Sequence, residues 1–204
     1  MEIEVKFYLS DLPALQRRLE TLGARLLQAR THELNLRFDT PDGRLERNQQ
    51  VLRLRQDRQA VMTYKGPGED RQGVRHREEI ECTVSDFQTA CSLLEALGYQ
   101  VSWVYEKYRT VYALGEVELM LDELPFGDFV EIEGPDVAAL QQAAARMHLN
   151  WTSFYSKSYQ ALFAELVRRL NLEFRDLTFE NFAPLTVSPD LLGVQSGDQA
   201  QGDG

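Results

Sequence analysis

The chain has 204 residues, 43% of them hydrophobic and 26% charged, the make-up of one globular domain with room for a sizeable core. A formal net charge of −10 argues against a nucleic-acid-binding face, and no apolar run approaches the roughly 20 residues needed to span a bilayer. The charged N-terminus is not a signal peptide, and Cys82 and Cys91, which lack a CxxC spacing, read as reduced packing residues of a cytoplasmic protein.

Residues 1–9 alternate as a strand, with Glu2, Glu4, Lys6 and Tyr8 on one face and Ile3, Val5 and Phe7 on the other. A Ser10 or Asp11 cap then starts a helix through Leu12, Leu15, Leu19 and Leu22, stopped by Gly23. Residues 25–39 read as a long strand ending in the turn signal Asp39-Thr40-Pro41-Asp42-Gly43. Residues 51–55 and 60–65 form a hairpin that sets Arg53 and Arg55 on one face and Lys65 beside Val61 and Thr63. The polar, glycine-bounded stretch 69–73 reads as a mobile loop, and 74–84 as a fifth strand with Arg75, Arg77, Glu79 and Glu81 on one face.

A second helix over 87–97, from a Ser85 or Asp86 cap to Gly98, repeats the design of the first and suggests two similar halves. Strands follow at 101–114 (Tyr105, Lys107 and Arg109 on one face), 116–122 (Glu116, Glu118 and Asp122) and 129–133 (Glu131 and Glu133). A third helix spans 137–147, and a last one carries Tyr155, Lys157 and Tyr159 and continues from Phe163 to Leu170. Periodicity fades from residue 171. The segment 171–204 reads as an extension of a domain over 1–170, largely disordered from about 186.

One Glu-x-Glu or Arg-x-Arg on a strand ordinarily faces solvent. Here the pattern recurs in most of eight strands, enough to close a barrel. If those faces turn inward, the fold is mainly β: a closed eight-stranded antiparallel tunnel with a charged interior and flanking helices. Unpaired charges are costly in a dry core, so such an interior is wet and binds charged ligands. Clustered Lys and Arg suit a polyanion such as a phosphate chain, and carboxylate pairs suit a hard divalent cation. Together they point to a metal-bound polyphosphate.

Glu2-x-Glu4-x-Lys6 resembles the ExExK signature of the CYTH superfamily, the triphosphate tunnel metalloenzymes. The ordered sequel strengthens the likeness: Phe38-Asp39-Thr40-Pro41, Leu52-Arg53-Leu54-Arg55, Tyr64-Lys65-Gly66, Arg77-Glu78-Glu79-Ile80-Glu81, Glu106-Lys107-Tyr108-Arg109 and Phe129-Val130-Glu131-Ile132-Glu133. The stretch 121–133 is most similar to the class IV adenylyl cyclase branch.

The resemblance implies that Glu2, Glu4, Glu131 and Glu133, with Asp122 or Glu118, hold Mg²⁺ or Mn²⁺. It implies that Lys6, Arg53, Arg55, Lys65, Lys107, Arg109 and Arg77 hold the triphosphate, and that Glu2, Glu4, Lys6 and Lys157 serve catalysis. The substrate it implies is a triphosphate-bearing small molecule (ATP, inorganic triphosphate or thiamine triphosphate), acted on by a cyclase or a triphosphatase. A non-catalytic polyphosphate-binding module is the further alternative, disfavoured because it would keep the basic residues and lose the carboxylates, and the protein is expected to be a monomer or homodimer. Arg37 departs from the pattern: relatives often have an aromatic two residues before Asp-Thr-Pro, and an inward Arg37 would bear on substrate choice.

Overall fold

A computed structural model describes residues 3–71, 74–76, 78–155 and 157–198. In chain order the elements are β1 (Ile3–Leu9), α1 (Leu12–Thr21), β2 (Arg25–Asp39), α2 (Arg44–Arg47), β3 (Val51–Gln56), β4 (Ala60–Lys65), β5 (Glu69–Arg71), β6 (Val74–His76) and β7 (Glu79–Val84). There follow α3 (Phe87–Ala96), β8 (Gln100–Leu114), β9 (Val117–Leu124), β10 (Gly127–Gly134), α4 (Val137–Arg146), α5 (Tyr159–Leu170), α6 (Phe179–Phe182) and α7 (Pro189–Leu192).

Eight strands form one antiparallel sheet in the order β1-β10-β9-β8-β2-β3-β4-β7. It consists of two four-stranded halves joined where the long strands β2 and β8 pair. The units β1-α1-β2 and β7-α3-β8 repeat one design. The Asp11 and Asp86 carboxylates accept from the Ala14 and Thr89 N–H groups to start the helices, and Gly23 and Gly98 take positive φ beyond them.

The apolar alternation faces outward. Ile3, Val5 and Phe7 pack with Leu119, Leu121, Val130 and Ile132 against Leu12, Leu15 and Leu19 of α1 and Leu140 of α4. A second core lies on the inner side, where Trp103 and Phe129, on the faces that carry Lys107 and Glu131, pack with Phe126 against Phe163 of α5 and the C-terminal segment, and a smaller outer core sets Phe38 and Leu54 against Ala90, Cys91 and Leu94 of α3. Burying the outer face on helices leaves the polar faces to line the interior.

Three expectations are corrected. The sheet curves like a barrel but is not closed: among the described residues β1 and β7 are its two ends and do not pair. The outer edge of β1 is satisfied instead by later chain, since Tyr155 N–H donates to the Lys6 carbonyl at 3.0 Å and Gly197 N–H to the Tyr8 carbonyl at 2.8 Å. The strand expected over 74–84 is divided: β6 pairs with β5 in a separate two-stranded ribbon, so 69–71 is strand, and β7 begins at Glu79.

The segment expected to be disordered from about 186 is placed as far as residue 198. Leu177, Phe182 and Leu192 are all but fully buried in the second core. The Asp198 carboxylate accepts from the N–H groups of Ser10 and Asp11.

Candidate active site

The inward faces enclose a cavity of about 750 Å³. Lys6 and Glu4 reach it from β1, Glu131 and Glu133 from β10, Lys107 and Arg109 from β8, Arg53 and Arg55 from β3, and Lys65 from β4. These nine expected residues share one cavity because each lies on the face opposite the outer core. Glu2 and Arg77 lie outside the described residues.

The charges are interlocked. Lys6 Nζ lies 2.6 Å from Glu4 Oε1 and 3.4 Å from Glu131 Oε1. Arg109 donates from Nη2 to Glu131 Oε2 at 2.7 Å, and clamps Asp122 through Nε at 2.6 Å and Nη2 at 2.5 Å. Lys107 Nζ and the Tyr159 hydroxyl each donate to Asp122 Oδ2 at 3.0 Å.

Burial alone would raise the Glu131 pKa, but Lys6, Arg109 and Lys107 outweigh it and hold that carboxyl far below the usual range. Burial alone would lower the Lys6 pKa, but Glu131 and Glu4 overcome this and raise it. Burial raises the Tyr155 and Tyr159 pKa values, and the neighbouring Glu131 and Asp122 carboxylates add to the effect, so both hydroxyls stay protonated. Tyr105 goes the other way. Burial raises its pKa, yet Arg53 and Lys107 beside it bring it below the ordinary phenol value.

Part of the basic wall is only partly satisfied. Arg53 donates from Nη2 to Thr63 Oγ1 at 3.1 Å and lies beside the Tyr105 hydroxyl, while its Nε has no hydrogen-bond partner among the described residues. Arg55 Nε is 3.0 Å from Asp57 Oδ2, close enough for an ion pair, but its N–H is not aligned for a hydrogen bond. Lys65 Nζ meets Glu79 Oε1 at 2.5 Å. Buried guanidinium edges without acceptors suit an anionic ligand.

The acidic residues offer only hard oxygen donors. The register sets Glu4 beside Glu133 and Glu133 beside Glu118, a row across β1, β10 and β9, with Glu131 one step inside it. Among the described residues no three His, Cys, Asp or Glu side chains converge as a ready metal cluster. The Lys6 ammonium instead stands between Glu4 and Glu131 as a cation in their midst. Donor chemistry and this stand-in fit a divalent ion bound by oxygen.

Three expected residues sit differently. Asp122 is fully buried and accepts four hydrogen bonds, one on Oδ1 and three on Oδ2, which makes it the counter-ion of Lys107 and Arg109. Lys157 does not line the cavity: it precedes the Ser158 cap of α5, is largely exposed and pairs with Glu165 at 3.3 Å. Glu118 is exposed at the rim and is not part of the lining.

Some lining residues carry no sequence signal that marks them in advance. Tyr155, Ser158, Tyr159 and Gln160 arrive with the start of α5, which only the tertiary fold brings over the cavity. Glu33 and Asn35 were legible in principle, since they alternate with Leu34 and Leu36 on β2 and are buried on its inner side. Arg37, on the same face, lines the cavity and donates to Gln160 Oε1.

The inner face of the curved antiparallel sheet is thus a cavity lined by both cations and carboxylates. Residues 1–153 match the CYTH domain family, and the chain belongs to that family. It is 29% identical over 174 residues to the adenylate cyclase CyaB of Aeromonas hydrophila, a match covering 79% of this chain and 87% of the relative. Among solved structures it is similar to the PH1012 protein of Pyrococcus horikoshii, at 28% identity and a TM-score of 0.65, over 78% of this chain and 97% of the other. It is also similar to HpAC1 of Hippeastrum, a candidate adenylyl cyclase described as having a dominant triphosphatase activity. That likeness is 25% identical with a TM-score of 0.60, and covers 80% of this chain and 95% of the other.

Proposed function

We propose that the protein is a divalent-metal-dependent enzyme acting on a triphosphate within the cavity, and that its reaction converts ATP to cyclic AMP and pyrophosphate. The observation that carries this reading is the opposed charge of the cavity walls, with Arg53, Arg55 and Lys65 on one side and Glu4, Glu131 and Glu133 on the other, and Lys6, Lys107 and Arg109 between. A phosphate chain presents many anionic oxygens in a row, and a row of guanidinium and ammonium groups is its complement.

Glu4, Glu131 and Glu133, joined by Glu2, would hold Mg²⁺ or Mn²⁺. The bound ion would supply Lewis-acid polarisation of the phosphoryl oxygens. Arg53, Arg55, Lys65, Lys107 and Arg109 position the chain and neutralise the charge that develops on the leaving oxygens. The ribose 3′-oxygen forms a bond to the α-phosphorus as the bond to the bridging oxygen breaks. Pyrophosphate leaves with that electron pair, and the hydroxyl proton passes to solvent.

The Aeromonas relative supports the cyclase reading. A second reading, hydrolysis at the terminal phosphorus of inorganic triphosphate, thiamine triphosphate or a nucleotide, is supported by the Hippeastrum neighbour. Product analysis separates the two. With Mg²⁺ or Mn²⁺ and ATP, the expected products are cyclic AMP and pyrophosphate, whereas orthophosphate without cyclic nucleotide assigns hydrolysis.

Glu4 is 53% exposed in its side chain, so Glu4→Gln leaves the fold intact. It is expected to lower turnover by about 100-fold, because the carboxylate's interaction with the metal is worth several kcal/mol. Full activity in that variant removes the metal assignment.

A further inference from the structure

The two sets of charges that would serve different partners neutralise each other. Lys6, placed with the phosphate-binding cations, is bonded to Glu4 and Glu131, which belong with the metal ligands. A divalent ion arriving alone meets an ammonium already between its carboxylates. A triphosphate arriving alone draws Lys6 away and leaves Glu4 without its cation and the buried Glu131 with Arg109 as its counter-charge. When both arrive, each carboxylate exchanges an ammonium for a metal ion and the ammonium exchanges a carboxylate for a phosphate, so no charge is left uncompensated.

We infer that Lys6 is a latch coupling the two binding events: its ammonium occupies the place between Glu4 and Glu131 that a divalent cation takes, and metal is held weakly until a triphosphate draws Lys6 aside. This deepens the proposed function and rests on its assignment of metal and phosphate to the two walls.

Lys6 is the cation able to make this exchange. Its backbone is fixed, paired in register with Glu131 of β10 and bonded on the other side to Tyr155 N–H. Its side chain is a flexible stem ending in a rotatable ammonium, and one of its two partners, Glu4, sits at the half-exposed rim. Arg109 is clamped by three hydrogen bonds to Asp122 and Glu131, and Lys107 is tied to the fully buried Asp122. Those two stay with their carboxylates while Lys6 moves. Linkage makes the coupling reciprocal: whatever factor a triphosphate adds to metal affinity, metal adds to triphosphate affinity.

The test is Mn²⁺ binding in the absence of any triphosphate, followed by the paramagnetic resonance signal of the free ion. Removing a unit positive charge within about 4 Å of the bound ion is worth at least tenfold in affinity in a partly wet site. Lys6→Gln is therefore expected to bind Mn²⁺ at least about tenfold more tightly than the native protein, and Lys6→Arg, which keeps the charge, to bind it as weakly as the native protein. Lys6→Met, which keeps the stem, is expected to match Lys6→Gln and serves if that variant does not fold. Unchanged or weaker Mn²⁺ binding in a folded, charge-removed variant overturns the latch. Failure of the functional reading shows separately, in product analysis of the native protein: tightening in Lys6→Gln without any turnover of triphosphates keeps the latch and removes the reaction.

Discussion

Asp128 and Glu131 share strand β10, yet their surroundings shift them in opposite directions. Burial, with the Glu123 carboxylate opposite it, pushes Asp128 up to about 6, and Arg30 only partly offsets this. A carboxyl raised from 3.8 holds its proton more tightly in the folded state, so between about pH 4 and 6 stability falls as pH rises. Asp128→Asn is expected to raise stability at pH 7 by about 1 kcal/mol, after discounting the full shift for solvent screening. It should also flatten the pH dependence across that window in thermal unfolding. Glu131 has the opposite sign. Its depressed pKa contributes stability that is complete above the ordinary carboxylate range and is lost as pH falls through it and below. Glu131→Gln should therefore lower stability at pH 7 and remove part of the acid limb that the native protein shows. An acid limb of unchanged shape in that variant would mean that the pairs with Lys6 and Arg109 contribute nothing to folding.

At the scale of elements, the C-terminal segment is a strap. Leu177 N–H donates to the Val104 carbonyl at 2.9 Å, and Gly197 bonds the outer edge of β1 while its carbonyl accepts from Asn150 N–H at 2.8 Å. A Cβ on Gly197 would lie 2.9 Å from Phe7 Cβ, where Phe7 is locked in the main core. Gly197→Ala is thus expected to lift the strap and cost about 1–3 kcal/mol in denaturant unfolding. Ending the chain at Leu170 removes Leu177, Phe182 and Leu192 from the second core. Each such side chain is worth about 1.5–3 kcal/mol, a loss comparable to a typical total stability of about 5–15 kcal/mol, so the shortened chain should lose its cooperative transition. The sequence concealed this strap because its apolar residues are too irregularly spaced for any period and its partners are distant in the chain. The alternation of β1, β3, β8 and β10 was legible because a strand's faces follow from its own sequence, and with it came most of the charged lining. What covers an edge, where α5 begins and where Lys157 points depend on contacts between remote segments. Local pattern carries no trace of those contacts.

In the whole molecule the two sides of the cavity are built differently. β1, β9 and β10 carry the carboxylates and are backed by the large core under α1 and α4. β3, β4 and β7 carry Arg53, Arg55, Lys65 and Glu79 and are backed only by the small core under α3. β7 ends the sheet, and Ile80 on its outer face is 57% exposed. Few buried apolar contacts, and a sheet end unpaired among the described residues, mean low local stability, so backbone amides of β3, β4 and β7 should exchange with solvent faster than those of β9 and β10. A phosphate chain that gathers Arg53, Arg55 and Lys65 would tie the weakly backed strands to the firmly backed ones through charge. Hydrogen exchange with metal and triphosphate present should then slow in β3 and β4 by about tenfold, with little change in β9, whose opening is already rare. Protection confined to β9 and β10 would place the polyanion on the acidic side and contradict the division of the walls. Protection that appears in β3 and β4 makes the less stable half of the sheet the part that substrate completes, and gives the open end at β7 a role as the side on which the cavity yields.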